Sequence, residues 1–398
     1  MKNLQYWMWL TEVVGFCSVK PKQITQLYDS IEDFYNGGEK EWRLSGLFSN
    51  NEIEKMSNTA LDVGDDIIKK CVSLGYEMIT IEDPSYPVCL YNIDDPPAVL
   101  YVSGMLPDID DRLSVAIIGT RKASRYGITA SYEFAYQLAK AGVTIISGGA
   151  LGVDSSSHMG ALAANGVTVC VLGCGINYKY LRENAKMRSN ITYRGAVISE
   201  YPPDSKPMSF HFPQRNRIIS ALSDAILVIE AGKKSGSLIT VEAALEQDIN
   251  KKIFALAGPA DPHFYGSNDL IKQKIATLVT EYTDIIDAFD EVYVTSELAH
   301  EALKYDDAVD AVPVKGKLPD NIFGLRANDL TEVPVHKENA GLSEEENKVY
   351  YAVKAEPVHI DDIAAEVDLP IRRVLSILTL LEMKDMIVSV EGRSYKLI

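Results

Sequence analysis

The stretch LSVAIIGTRKASRYGITASYEFAYQLAKAGVTIIS (residues 113–147) sets two apolar runs, LSVAIIG and VTIIS, on either side of a segment in which Ile128, Tyr132, Ala135 and Leu138 share one helical face. A strand that is apolar throughout is buried on both faces. A strand, a helix and a second strand in that order make a right-handed crossover within a parallel sheet. The pattern continues through VTVCVLG (167–173), AVIS (196–199), AILVIEA (225–231) and KIFALAG (252–258). The fold class read from it is α/β: an extended Rossmann-like, doubly wound, mostly parallel sheet. Ligands of such sheets sit beyond the carboxyl ends of the strands, so the loops that follow the strands are where function is sought.

Outward from this core, residues 1–75 alternate short amphipathic stretches with turn signals and read as a small helical domain of the SAM or helix-hairpin kind. Within PKQITQLYDSIEDFY, Ile24, Leu27 and Ile31 follow helical spacing, with Pro21 near the first turn, where its missing N–H costs least. Two strand-like runs in residues 75–105 lead into the extended Rossmann-like domain, expected over 76–290. Residues 291–340 are expected to be a linker, acidic and then punctuated by Pro and Gly. Order returns over 341–398, where Ser343 and Glu346 form a capping-box signature, two further helices follow, and a hairpin turns at Gly392. Three helices and a hairpin spell a winged helix-turn-helix domain.

No apolar run approaches the roughly 18 residues of a bilayer span, and the first residues lack a signal peptide's charged start and cleavage site, so a cytoplasmic protein without membrane contact is expected. The five cysteines (Cys17, Cys71, Cys89, Cys170, Cys174) form no CxxC pair. Neither they nor the histidines give a zinc spacing, so neither metal nor cofactor is expected. A net charge of −17 argues against a polyanionic partner until its distribution is considered. Between Asp284 and Asp310 the chain carries nine acids against one base, Lys304, so much of the acidity is peripheral.

The strand-end loops are different. Gly119-Thr120-Arg121, backed by Lys122 and Arg125, lacks the G-x-G-x-x-G of a dinucleotide fold, and no G-x-x-x-x-G-K-[ST] occurs anywhere; what remains is an anion site near a helix N-terminus. SGGALGVDSSSH (147–158) offers Ser147, Gly148 and Gly149 to a phosphate, while Asp154 and His158, a helical turn apart, are read as buttressing the loop rather than as an acid/base pair. The long loop SEYPPDSKPMSFHFPQRNRIIS (199–220) interleaves aromatic residues with Lys206, Arg215 and Arg217, as a single strand requires when its bases stack and its backbone is held by charge. Either Phe210 or Phe212, not both, is expected to face the ligand. In EAGKKSGSLITVEAA (230–244), Ser235, Gly236 and Ser237 precede a helix beside Lys233 and Lys234.

Seven ordered blocks, AIIGTRKAS.YG, ISGGALGVDSSSH.GAL, G.TV.VLGCGIN..Y, G..ISEYPP, FPQRNRIISALS, ILVIEA...SGSLIT...A and FALAGP, resemble the DNA-processing protein A family (DprA, also called Smf) over about residues 112–280. The resemblance implies a non-enzymatic single-stranded DNA-binding protein that dimerises and helps load the RecA recombinase during natural transformation. It implies phosphate contacts from Arg121, Ser147 to Gly149, Arg215, Asn216 and Arg217. The DNA-binding set expected from loops and resemblance together is Gly119, Thr120, Arg121, Ser147, Gly148, Gly149, Lys206, Phe212, Arg215, Asn216, Arg217, Ser235, Gly236 and Ser237. The chain departs from the family pattern at Ala221, at Ala257-Gly258-Pro259, and at Lys274-Ile275-Ala276, where the family usually has a Gly-Ala pair.

Two other readings compete. A nucleotide phosphoribohydrolase also uses Gly-rich strand-end loops, but here Glu242 is one residue away from the position its acid would occupy, about 100° around a helix. Alternatively the winged helix does the work, with Arg372, Ser376 and Thr379 along one stripe and Arg373 adjacent. The acids around that stripe favour a protein over duplex DNA as its partner.

Overall fold

The computed structural model describes residues 3–289, 348–350, 352–353, 358–367, 369, 371–383, 387–390 and 394–397. The acidic run from Asp290 onward, the expected linker, the Ser343/Glu346 capping box and Gly392 lie outside the described residues. The chain divides into two compact units, Met1–Val309 and Asp310–Ile398.

The first unit is built on a nine-stranded sheet in the order β1-β2-β6-β5-β4-β3-β7-β8-β9. Its parallel strands are β3 (Ser114–Ile118), β4 (Thr144–Ser147), β5 (Thr168–Leu172), β6 (Ala196–Ser199), β7 (Ala225–Val228), β8 (Lys252–Leu256) and β9 (Thr277–Val279). All residues of β3 to β7 are buried, which is why these runs are apolar without alternation. The two runs read as a lead-in are strands as well. β1 (Glu77–Thr80) pairs antiparallel with β2 (Val99–Gly104), and β2 pairs antiparallel with β6, which extends the sheet at that edge.

Six helices precede the sheet: α1 (Leu4–Val14), α2 (Lys20–Leu27), α3 (Ile31–Asn36), α4 (Gly38–Leu44), α5 (Asn50–Asn58) and α6 (Asp65–Leu74). Trp7, Trp9, Leu10, Ile24, Ile31 and Phe34 are buried in one cluster with Ile79, Leu100 and Tyr101 of β1 and β2, so helices and sheet share a core. Burial of a large aliphatic side chain is worth about 1.5–3 kcal/mol, and that shared interior ties the helical layer to the sheet. The single helix expected over residues 21–35 is two. Tyr28 is extended, Ser30 caps α3 by accepting the Asp33 N–H, and Leu27 is left exposed.

Helices α7 (Val88–Tyr91), α8 (Arg125–Lys140), α9 (Val153–Ala163), α10 (Ala185–Ile191), α11 (His211–Ala221), α12 (Leu238–Gln247), α13 (Tyr265–Lys272) and α14 (Thr283–Ile286) complete the unit. The inward face of α8 is the expected one at Ala135 and Leu138 but not at Ile128 and Tyr132. Gly127, Ser131, Phe134, Ala135 and Leu138 are buried, whereas Ile128 is exposed. Close approach to α9 explains the rotation, because a Cβ on Gly160 would lie 2.2 Å from the Tyr132 carbonyl oxygen. Gly127 instead faces Glu230, since a Cβ there would lie 2.2 Å from Glu230 Oε2, and apolar periodicity does not register such small residues. At the sheet's far edge Lys274 adopts a left-handed φ of 59°.

The second unit contains β10 (Val358–His359), α15 (Ile360–Val367), α16 (Ile371–Met383), β11 (Ile387–Val390) and β12 (Ser394–Leu397). Its three strands pair in the order β10-β12-β11 beside the helix pair, as in a winged helix. Val353, Ile363, Val374, Leu378, Leu381 and Ile387 form its interior.

Candidate nucleic-acid interface

The chain runs from β3 outward to β4, β5 and β6 on one side, then returns to place β7 on the other side of β3. The loops leaving β3 and β7 therefore diverge, and a crevice opens between them at this switch point. A cleft of about 530 Å³ lies there, walled by Gly119, Thr120 and Arg121, by Phe212, Arg215 and Asn216 of α11, and by Ser235, Gly236 and Ser237 before α12.

The β3 loop is held from beneath. Thr120 N–H donates to the Glu230 carbonyl at 2.8 Å. A Cβ at Gly119 would lie 2.5 Å from Val153 Cγ2, so only glycine allows this approach. The Glu230 carboxylate is fully buried and accepts the Ser124 N–H and, at 2.6 Å, the Ser124 hydroxyl. An acid set among the basic loops is thus turned inward to pin the start of α8.

Successive residues of α11 point about 100° apart, so Arg215, Asn216 and Arg217 cannot share a face. Arg215 forms the floor of the cleft. It is 5% exposed, and its Nη1 donates to the carbonyls of Gly148, at 2.7 Å, and Val171. A Cβ at Gly148 would lie 2.5 Å from Arg215 Nη2, so that glycine makes room for the guanidinium. Burial lowers the Arg215 pKa, and Asp154 opposes the shift; burial raises the Asp154 pKa, and Arg215 opposes it. Asn216 Nδ2 donates to the Gly236 carbonyl at 3.4 Å, joining two walls.

Arg217 is not where the sequence reading put it. Its Nε donates to Asp95 Oδ2 at 2.9 Å and its Nη2 to Glu200 Oε1 at 2.8 Å, away from the cleft. Burial works against its charge, but Glu200, Cys17 and Asp95 outweigh that and raise its pKa. Ser147 also differs from expectation: its buried hydroxyl donates to the Ile117 carbonyl at 2.7 Å. Gly148 is buried against Arg215 and Gly149 against Cys170, neither lines the cleft, and Lys206 is exposed outside it.

At the mouth, the Arg121 guanidinium lies 5.1 Å from the centre of the Phe212 ring, whose neighbour is the Tyr180 ring at 5.4 Å. Phe210 is 55% exposed and packs edge-on against His211, outside the cleft. Among the described residues, Arg121, Lys122, Arg125, Lys233 and Lys234 are exposed and none has an ion-pair partner. A Cβ at Gly236 would meet nothing within 4 Å. The cleft thus combines free cations, an aromatic face and open space beside backbone amides, which suits a flexible anion carrying planar groups.

Asp154 and His158 do not bond to each other. Asp154 accepts the Ala150 N–H at 3.3 Å, and His158 Nδ1 meets Thr168 Oγ1 at 2.7 Å. Burial, with Arg215 adding to it, pushes the His158 pKa down to about 3, so the ring is neutral. Asn184, which sequence reasoning missed, donates from Nδ2 to the carbonyls of Gly149 and Ala150 and fixes the β4 loop. Glu242 is exposed on α12 and absent from the cleft wall. No cluster of potential metal ligands occurs among the described residues, and no described helix is long and apolar enough to cross a membrane. The side chains of Arg372, Ser376 and Thr379 on α16 lie outside the description.

Residues 77–290 match the family described as DNA recombination-mediator protein A, and residues 334–393 match the DprA winged helix domain. Protein Smf of Synechocystis sp. is 30% identical over 402 residues, spanning 98% of this chain and 98% of the relative. The structure is similar to that of DNA processing protein A from Streptococcus pneumoniae, with TM-score 0.60 and 30% identity over 72% of this chain and 98% of that one. DNA processing protein A from Helicobacter pylori aligns with TM-score 0.50 and 32% identity over 55% of this chain and 97% of that one; that structure is described as showing a single-stranded DNA binding mode.

Proposed function

The chain belongs to the DNA recombination-mediator protein A family, and from that premise we propose that it is a sequence-tolerant, non-enzymatic single-stranded DNA-binding protein of the cytoplasm. Arg121, exposed and unpaired among the described residues, holds a strand phosphate at the mouth of the switch-point cleft. Phe212 stacks a base, and Arg215 gives the floor its positive charge. Bound as a homodimer, the protein protects incoming strands and passes them to the RecA recombinase in natural transformation. Residues 76–290 hold the DNA, and residues 341–398 contact protein.

The observation that carries this reading is the pairing of Arg121 with Phe212 over open space. A duplex buries its bases within the stack and cannot use such a ring, whereas a single strand can. The single-stranded DNA binding mode described for the Helicobacter pylori relative supports the same choice. Gel-shift titration of single-stranded and duplex oligomers over a range of salt tests it, and equal affinity for the two forms rejects it. Incubation with AMP, followed by assay for free base, tests the hydrolase alternative.

A further inference from the structure

A second, larger cavity of about 640 Å³ lies outside the switch-point cleft, lined by residues of the loop after β5, by α10 and by Tyr76 and Ser103 of the antiparallel edge. Three of its lining residues are cations, Lys179, Arg182 and Arg188, and no carboxylate lines it. Arg188 Nη2 donates to the carbonyls of Tyr180, at 2.6 Å, and Leu181, at 3.2 Å. Its Nη1 is buried with no hydrogen-bond partner among the described residues. A buried guanidinium N–H without an acceptor is costly, and Arg188 with Lys179 and Arg182 gives the cavity a positive lining that suits an oxyanion. Tyr76 and Tyr178 add aromatic surface, and Asn177 and Ser189 add polar groups.

One loop joins the two cavities. Tyr178 lines the second, while Tyr180, two residues on, sets its ring against Phe212 at the mouth of the first. Arg188 lines the second cavity and holds the carbonyls of Tyr180 and Leu181, so the loop between Tyr178 and Phe212's neighbour Tyr180 is fixed from the second cavity's side.

Resting on the reading of the first cleft as a single-strand site, we propose that the second cavity is a nucleotide subsite for the same strand, its phosphate taken by Arg188 with Lys179 and Arg182 and its base facing Tyr76 and Tyr178. The strand then runs from Arg121 across Phe212 and Tyr180 into this cavity.

The test measures affinity of the full chain for oligothymidylates of increasing length by fluorescence anisotropy. Two variants are compared with wild type: Ser189→Trp, which fills the cavity without removing charge, and Lys179→Gln, which removes charge without filling it. A base that stacks in a subsite strengthens binding by about five- to a hundredfold, so wild-type affinity should climb once the oligomer is long enough to reach the second cavity. Ser189→Trp should abolish that climb and Lys179→Gln should reduce it, while short oligomers bind as before. Arg121→Ala should weaken every length, so failure of the first-cleft reading shows itself separately. Undiminished length dependence in both variants overturns the subsite. Saturable binding of free thymidine monophosphate that Ser189→Trp abolishes, with no effect on the length series, assigns the cavity to a free nucleotide and overturns the strand assignment.

Discussion

Replacing Phe212 by alanine separates stacking from charge. The Arg121 guanidinium lies 5.1 Å from the ring centre and the Tyr180 ring 5.4 Å from it. Gly173 makes room for it, since a Cβ there would come within 2.9 Å of Phe212 Cδ1. Half-buried at the mouth of the cleft, the ring belongs to none of the buried core clusters, so its removal should barely alter stability. For the ligand, loss of one stacked base costs about 1–3 kcal/mol. Loss of the face that orients Arg121 costs about 0.5–1 kcal/mol more at an exposed site. The sum, about 1.5–4 kcal/mol, weakens binding by roughly tenfold to several hundredfold. Because Arg121 remains, the number of phosphates neutralised should not change, and plots of log affinity against log salt should stay parallel to wild type. Anisotropy titration with a fluorescent oligothymidylate over several salt concentrations reads both quantities. Binding within about twofold of wild type, or a slope shallower by about 0.7, refutes the reasoning.

Gly236→Leu should block the cleft while leaving stability within about 0.5 kcal/mol, because its Cβ enters open space; strand binding at wild-type strength would remove that loop from the interface. Arg217→Met strands Glu200 and Asp95 without their cation and should cost about 3–5 kcal/mol in urea unfolding, with the salt slope of the residual binding unchanged. A slope shallower by about 0.7 would return Arg217 to the phosphates. His158 has its folded pKa pushed down to about 3 from 6.5, so the unfolded chain takes up the proton first as pH falls. Its contribution is complete above about pH 6.5 and is lost progressively below it. His158→Gln should therefore lose less stability than wild type between about pH 7 and pH 5, and identical losses would mean the ring is not buried neutral.

The sheet was legible because burial on both faces demands apolar, β-branched runs, and VAII, TVCV and AILV meet that demand in sequence. The inward face of α8 was legible at Ala135 and Leu138 but not at Gly127 and Ser131, which are buried without being apolar. In the site, Arg121, Phe212, Asn216 and residues 235–237 surround one cleft, because all follow the carboxyl ends of parallel strands. Arg217 was misplaced because a basic motif was read as one surface, although three consecutive helical residues span about 200°. Ser147 was misplaced because the last residue of a buried strand directs its hydroxyl into the sheet. Neither the turn of Glu230 towards Ser124 nor that of Asn184 towards Gly149 has a local sequence signal, since each joins distant segments.

Single-strand binding of the kind proposed requires cations at the switch point to grip a flexible polyanion despite a net charge of −17. The salt dependence of single-strand affinity, measured for wild type beside Arg121→Ala, tests that grip most directly. Loss of one phosphate contact should make the slope of log affinity against log salt shallower by about 0.7. Superimposable slopes at full affinity would show that Arg121 touches no phosphate.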